Sequence, residues 1–478
     1  MKNLLTSTIL VLALLMPALA TAADFEVDDI CYNINGNEAA VTRKGLPGYL
    51  FIGYSGPVVI PATVTYDGIT YPVTSIEALA FYHCTELTSI DIPNSVTEIG
   101  QEAFGRCPGL ASIVVESGNP RFDSRNNCNA IIETANNVLI AGCKNTIIPN
   151  SVTEIGNFAF DACDSLTSIV IPNSVTSIGQ YAFYSCSGLT SINIPNSVTS
   201  IGHGAFAWCS GLTSIVIPNS VTEIGVGVFD DCTELASIVV ESGNPRYDSR
   251  NNCNAIIETA NNMLIVGCMN TTIPNSVTVI GYWAFYSCEG LTSIDIPNSV
   301  TEIGEGAFSD CTGLASIVIP NSVTEIGGWA FYSCSGLTSI DIPNSVTAIG
   351  DSAFYDCGRL TDVYCYIADL SKVSSGNDQF YKRNGSYSGR TLHVRQGTAD
   401  AYRADENWYP YFGQIVEDII TGDANHDLEV NIADVNAVID MILEGNDDTI
   451  AADVNGDGEI NIADINALIG IILSGKQN

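Results

Sequence analysis

A hexapeptide, Ile-Pro-Asn-Ser-Val-Thr or a close variant, returns along this chain with its proline at 93, 149, 172, 195, 218, 274, 297, 320 and 343. The usual step is 23 residues, and one unit reads L-T-S-I-x-I-P-N-S-V-T-x-I-G-x-x-A-F-x-x-C. Cys84, Cys107, Cys163, Cys186, Cys209, Cys232, Cys288, Cys311, Cys334 and Cys357 share its last position. No such unit can bury its apolar face alone. Neighbours must stack, at ~4.8 Å per coil if strands pair between them. Two steps are 56 residues long, and each holds a near-copy of G-N-P-R-(F/Y)-D-S-R-N-N-C-N-A-I-I-E-T-A-N-N-x-L-I-x-G-C. Cys128 and Cys253 stand 125 residues apart, as do Cys107 and Cys232, so a whole block is duplicated.

Within Leu166–Ile171, alternation points Ile169 and Ile171 inward and Val170 outward. Pro172 has no N–H to give a ladder and ends the stretch. Asn173 and Ser174 suit a turn. Val175 and Ile178 return to the core, Gly179 allows the next bend, Ala182 and Phe183 plug the coil, and Cys186 closes it. The expected fold is a repeat solenoid of about twelve coils. Residues 84–365 form it, with long insertions near 116–148 and 241–273. Residues 23–83 read as an N-terminal β cap, which covers a sheet edge that would otherwise be exposed. Residues 366–417, rich in tyrosine and bases, read as a C-terminal cap.

These units resemble the BspA-like leucine-rich repeat family of bacterial surface antigens, over Leu87 to Cys357 unit by unit. The resemblance extends to Phe25–Cys84 and to Thr391–Tyr402. It implies a β-rich solenoid that binds a protein or a cell surface.

Residues 1–22 read as a secretory signal: Lys2, an apolar run from Leu4 to Leu15, and Ala20-Thr21-Ala22 as the cleavage site. No Cys follows directly, which speaks against a lipoprotein anchor. No later segment reaches the roughly 20 apolar residues of a membrane span. Lys+Arg number 17 against 53 Asp+Glu, a net charge of -36. That balance excludes nucleic acid as a partner and favours cations. The expected address is secreted, extracellular or cell-surface associated.

Sixteen cysteines in a secreted chain first suggest disulfides. Stacked equivalents, however, would have parallel Cβ vectors, so the repeat cysteines read as a buried thiol ladder acting as small apolar filler. For Cys128/Cys143 and Cys253/Cys268, brought opposite each other by a turn at Asn136-Asn137 and its copy, bonded and free remain equal readings.

The clearest chemistry lies in the last sixty residues. Asp423, Asn425, Asp427, Glu429, Asn431 and Asp434 occupy loop positions 1, 3, 5, 7, 9 and 12. Asp453, Asn455, Asp457, Glu459, Asn461 and Asp464 repeat the pattern thirty residues on. Side-chain oxygens at five of these positions, with a backbone carbonyl from position 7, are the ligand order of an EF-hand calcium loop. A run with helical apolar spacing follows each loop, from Val435 to Leu443 and from Ile465 to Leu473. No helix-like segment precedes either.

Duplicated loop–helix halves with Asp at position 12 resemble a type I dockerin, over about Thr421–Ser474 and within a terminal module of residues 418–478. The resemblance implies a small α-helical domain folded by two calcium ions and docked onto a cohesin domain of another protein. Contacts in that family usually include loop positions 10 and 11, here Ile432, Ala433, Ile462 and Ala463. The alternative is that calcium only staples a small terminal domain.

On the solenoid, Tyr184, Trp208, Trp283, Tyr286, Trp329, Tyr332 and Tyr355 flank the A-F plug, where the repeat varies while its core stays fixed. They read either as a ligand surface for protein or polysaccharide, or as packing over neighbouring coils. Arg121, Arg125, Arg246 and Arg250 recur in the insertions beside Asp123 and Asp248 and read as local ion pairs. No H-E-x-x-H, G-x-S-x-G or phosphate loop occurs, the four His are isolated, and the unit repeats almost unchanged. The chain is therefore expected to be a non-catalytic binding protein, adhesin-like. The second reading is a non-catalytic subunit of a polysaccharide-degrading complex, since dockerins often ride on such assemblies.

Overall fold

Each Pro-Asn-Ser-Val segment is a closed turn. The Val175 N–H donates to the Pro172 carbonyl at 3.0 Å, and Val198 does the same to Pro195. The turn reverses the chain and returns Val175 and Ile178 to the interior, where both are buried. The computed structural model describes residues 23–45, 53–383, 387–420, 422–424, 430–444, 452–455 and 460–474. The segment read as a secretory signal lies outside them.

Two compact units are present: residues 1–209 with 223–228, and residues 210–222 with 229–478. In the first, Phe25–Val27, Ile30–Asn35 and Glu38–Val41 form an antiparallel ribbon that joins Ile69–Ile76 in parallel. Ile69–Ile76 then pairs with Glu98–Ile99, so the N-terminal sheet leads directly into the repeat. A second sheet begins with Phe122–Asp123 on the insertion hairpin, Ala130–Glu133 against Val138–Gly142. It continues in parallel through Glu154–Ile155, Ser177–Ile178, Ser200–Ile201 and Glu223–Ile224, one strand per coil. The second unit repeats this plan from the hairpin Ile256–Glu258/Met263–Val266 to Ala348–Ile349 and Ser374–Ser375.

The steadiest ladder thus runs through T-x-I, just after the turn. The I-x-I stretch ahead of the proline is less regular. It forms full strands at Ser214–Ile217/Ser237–Val240 and at Ser339–Ile342/Asp362–Cys365. In other coils it makes single bridges, Val170 to Asn193 and Asp295 to Val318. The inward and outward assignments still hold: Ile169 and Ile171 are buried, and Val170 is 83% exposed. Threonine adds a second tie to the T-x-I ladder, its hydroxyl donating to the threonine carbonyl one coil back (Thr199 to Thr176, Thr347 to Thr324, both 3.2 Å).

The plug phenylalanines form columns. Phe160, Phe183 and Phe206 stack at 5.0 and 5.3 Å in the first unit. Phe285, Phe308, Phe331, Phe354 and Phe380 stack at 5.0 to 5.4 Å in the second. Trp408, fully buried, packs against Phe380 at 5.3 Å and ends the column. The parallel strands Asp362–Cys365, Thr391–Arg395 and Gln414–Ile419 and the short helix α1 (Ala399–Ala404) close that end.

All sixteen cysteines are free thiols in the structure. Cys143 donates to the Asn129 carbonyl at 3.3 Å, and Cys268 to that of Asn254 at the same distance. The repeat cysteines are more than filler. Cys209, Cys311 and Cys334 each donate to a phenylalanine carbonyl one coil back, at 3.0 to 3.1 Å. The insertion arginines make the expected local pairs, Arg125 with Asp123 and Arg250 with Asp248. Arg121 and Arg246 pair instead with Glu133 and Glu258, which the antiparallel hairpin brings across.

Candidate functional site

Helices α2 (Ile432–Glu444) and α3 (Ile462–Ser474) follow the two acidic loops. Asn431 starts α2: its side-chain oxygen accepts from the Ala433 N–H at 2.8 Å. The Asp434 carboxylate reaches back to the Asn431 N–H at 2.8 Å, a reciprocal cap of the kind that satisfies orphan donors. Asn461 and Asp464 repeat the arrangement on α3 at 2.8 and 2.9 Å. The other Asp464 oxygen accepts from the Asn455 N–H at 3.1 Å, drawing loop position 3 toward position 12. Val430, Val435, Val438, Ala452 and Leu468 form the small core between the helices.

Four carboxylates of the calcium pattern are buried: Asp423, Asp434, Asp453 and Asp464, the second and fourth completely. Buried carboxylates need compensation, and residues 404–475 hold no Lys or Arg. The hard oxygen donors at these positions fit calcium. Asp423, Asn431, Asp434, Asp453, Asn455, Asn461 and Asp464 would hold it, and the bound ion would bring positive charge to the buried carboxylates. Asp453 also accepts from the side-chain amide of Asn321. Asn425, Asp427, Glu429, Asp457 and Glu459 lie outside the described residues. Among the described residues, no three His, Cys, Asp or Glu side chains are grouped to hold a metal.

Ile432 and Ile462 are 68% and 71% exposed, with Ala433 and Ala463 exposed beside them. Each pair sits at the first turn of its helix, one step from a buried aspartate of the calcium pattern.

On the repeats, the aromatic positions divide. Tyr184 packs edge-on against Tyr181 at 5.7 Å. Trp208 is half exposed. Trp283 meets Tyr286 edge-on at 5.2 Å and reaches Trp329, two coils away, at 6.5 Å. Gly306 makes that reach possible, since a Cβ there would lie 2.4 Å from the Trp283 ring. Tyr332 stacks on Tyr355 at 5.2 Å, and Tyr355 on Tyr381 at 4.9 Å. Arg383 lies 6.0 Å over Tyr355 and donates to the Tyr332 hydroxyl at 2.8 Å. The sequence reading missed Tyr381 and Arg383, because they belong to the irregular end, where no repeat register marks them.

The parallel coils, with β strands and turns where other solenoids carry helices, define a β-rich leucine-rich repeat protein, here joined to a two-helix calcium module. Residues 64–134, 140–255 and 266–384 match the family model for the BspA type leucine rich repeat region, and the chain belongs to that family. Residues 421–473 match the dockerin type I domain. Neither family is catalytic, and no catalytic domain is matched. The dockerin match implies calcium binding and a cohesin partner.

No curated protein matches the chain. Three similar solved structures are bacterial. A leucine rich cell surface protein of Faecalibacterium prausnitzii is 28% identical, with 78% of this chain and 97% of that one covered and a TM-score of 0.48. The pneumococcal vaccine antigen PcpA is 20% identical, with 84% and 100% covered and a TM-score of 0.49. A leucine-rich repeat protein of Bacteroides ovatus is 24% identical, with 82% and 100% covered and a TM-score of 0.34. No helix among the described residues is long and apolar enough to cross a membrane.

Proposed function

We propose that this is a secreted, non-catalytic binding protein. Its repeats recognise a protein or cell-surface ligand, and its terminal module, loaded with two calcium ions, tethers it to a cohesin-bearing partner. The observation that carries the tether is the pair of exposed apolar patches, Ile432-Ala433 and Ile462-Ala463, each next to a buried ligand aspartate. An exposed Ile-Ala pair at the start of each helix offers a partner two matching apolar contacts. Calcium at Asp434 and Asp464 would fix both helix starts and so present both patches. The N-terminal segment that reads as a secretory signal and the acidic, base-poor composition support an extracellular address.

The test is a pull-down with the full chain from surface extract of the source cells, with calcium and with chelator. A cohesin-bearing protein retained only with calcium is the expected result. Ile432→Asp combined with Ile462→Asp should abolish retention. Retention that is indifferent to chelator, or no retained partner, would overturn the tether and leave calcium as a staple.

A second reading is a non-catalytic subunit of a polysaccharide-degrading complex. The Trp283–Trp329 pair favours it, because two near-parallel indoles suit stacking on sugar rings. Trp283→Ala and Trp329→Ala should then each weaken retention on insoluble glycan. Unchanged retention removes this reading without touching the first.

A further inference from the structure

The first long insertion leaves a cavity of about 230 Å³ between the turn at 99–107 and the turn at 157–163. The phenylalanine column explains it. Phe81 stacks on Phe104 at 5.3 Å, and Phe160 on Phe183 at 5.0 Å. Between those two pairs, the hairpin strand supplies Ala141 and Gly142 in place of a ring. A Cβ at Gly142 would meet the Phe160 ring at 2.2 Å, so only a glycine fits there. The column is broken for one coil, and space remains beside the break.

The charges in the cavity wall are unequal. Arg121 is already used: its guanidinium donates to Glu133 at 3.1 Å and to the Thr97 carbonyl at 3.1 Å. Glu133 also accepts from Asn136 at 2.7 Å. That leaves Asp161, and Glu102, which accepts from the neighbouring Gln101 amide at 3.4 Å. Asp161 is only 7% exposed, and no donor among the described residues reaches its carboxylate. Its Oδ2 leans over Gly105, 2.7 Å from where a Cβ would stand. Arg106, the neighbouring base, lies 5.6 Å over the Tyr82 ring with its Nε unpartnered. Burial, with Glu102 adding to it and Arg106 opposing, pushes the Asp161 carboxyl up to about 7.

A buried carboxylate with no donor is costly and rare in finished interiors. Here it faces open volume rather than packed side chains. The volume is below the roughly 300–1,000 Å³ of metabolite pockets, so it suits one small group. We propose that this cavity binds a single ammonium or guanidinium group, held between the carboxylates of Asp161 and Glu102. Charge-assisted hydrogen bonds to that cation would replace the missing donors.

The duplication supplies an internal control. The second insertion repeats the hairpin, and Gly267 lies under Phe285 as Gly142 lies under Phe160. The residues that carry the charge are not repeated. Positions 102, 105, 106 and 161 correspond to Gly227, Asp230, Asp231 and Tyr286. A tyrosine stands where Asp161 does, and a glycine where Glu102 does. The site is therefore a property of the first copy. It stands independently of the tether and of the aromatic surface.

The experiment uses the full chain with calcium and agmatine, which carries both cations, as the probe in ligand-observed NMR. Agmatine should bind, and Asp161→Asn should weaken it by about tenfold or more. Glu102→Gln should weaken it too, and Asp230→Asn in the second copy should not. Circular dichroism of each variant separates lost binding from lost folding. A lysine-containing peptide that displaces agmatine would assign the site to a protein side chain; failure to displace it would assign a free amine. No agmatine binding, or equal binding by Asp161→Asn, overturns the proposal.

Discussion

The thiol of Cys186 donates to the carbonyl oxygen of Phe160, 3.1 Å away and one coil back. Cys107 and Cys357 do the same to Phe81 and Phe331, at 3.0 and 3.1 Å. Each thiol thus adds a second, inter-coil donor to a buried carbonyl that already accepts a backbone N–H within its own plug turn, as Phe160 does from Cys163 at 3.1 Å. Burial pushes the Cys209 and Cys357 thiols up to about 12, so the reactive thiolate is suppressed. Cys209→Ala should cost about 0.5–1.5 kcal/mol through the lost inter-coil hydrogen bond, the Phe183 carbonyl keeping the Cys186 N–H, and Cys209→Ser less, because it keeps a donor. Urea midpoints of the two variants decide this. Native protein should resist maleimide, and unfolded protein should show sixteen reactive thiols without reductant. A lower count would place disulfides at Cys128/Cys143 or Cys253/Cys268.

The repeat was legible because burial follows spacing. Phe183, Ala182, Val175, Ile178 and Cys186 are all buried as their positions in the unit require. The dockerin module was legible for the same reason, since its loop spacing is local. What spacing hides is contact between coils. Glu133 comes to Arg121 only through the hairpin, and the Asp161 cavity only through a ring that one coil lacks. The clue was present as a departure, Asp161 where five other units carry tyrosine, but a departure alone does not say that space lies beside it.

Nor does spacing reveal backbone hand. In each plug turn two residues adopt left-handed geometry, such as Tyr181 at φ 53° and Ser185 at φ 57°. Non-glycine residues pay roughly 1–2 kcal/mol for this conformation. Ser185→Gly should raise stability by up to about 1 kcal/mol, part of the relief being offset by the looser unfolded chain. Gly306→Ala runs the other way. Gly306 has φ 63°, and the new methyl would meet the Trp283 ring, so a loss of about 2 kcal/mol or more is expected. Chemical denaturation of both variants checks the opposite signs.

Arg390 is the keystone of the closed end. Its guanidinium, 4% exposed, donates to the carbonyls of Leu360, Phe380 and Cys357. Burial lowers its pKa, though the group stays charged. Lysine cannot span three carbonyls in one plane. Arg390→Lys should therefore lower stability by about 2–4 kcal/mol, and Arg390→Met by more. Proteolysis near residues 380–412 should rise with it, and an unchanged cleavage rate would contradict the role.

Asp161 gives a pH signature apart from ligand binding. Its folded pKa, about 7, lies above its ordinary 3.8. The folded state therefore holds the proton more tightly. Stability from this group is full below pH 4 and is lost as pH rises toward and past 7. Asp161→Asn removes that loss. The variant should be more stable than the parent by about 4 kcal/mol at pH 8, with the gap nearly closed at pH 4. Melts at the two pH values test the sign.

Calcium removal should act on one module only. The buried carboxylates Asp423, Asp434, Asp453 and Asp464 have no Lys or Arg within residues 404–475 to neutralise them. Without the ion their mutual repulsion opposes the small core around Val438 and Leu468. The repeat core of the second unit is a separate cluster, rich in stacked phenylalanine, and includes none of these residues. Chelation should thus remove the helical signal of α2 and α3 and leave the β signal intact. Asp464→Ala should reproduce the loss of α3 at saturating calcium, because it removes both a ligand and the cap on Asn461. Calorimetry should count two ions on the parent chain and fewer on the variant. Helix content that is indifferent to chelator would mean that the module folds on its apolar contacts alone, and that its acidic loops serve something other than calcium.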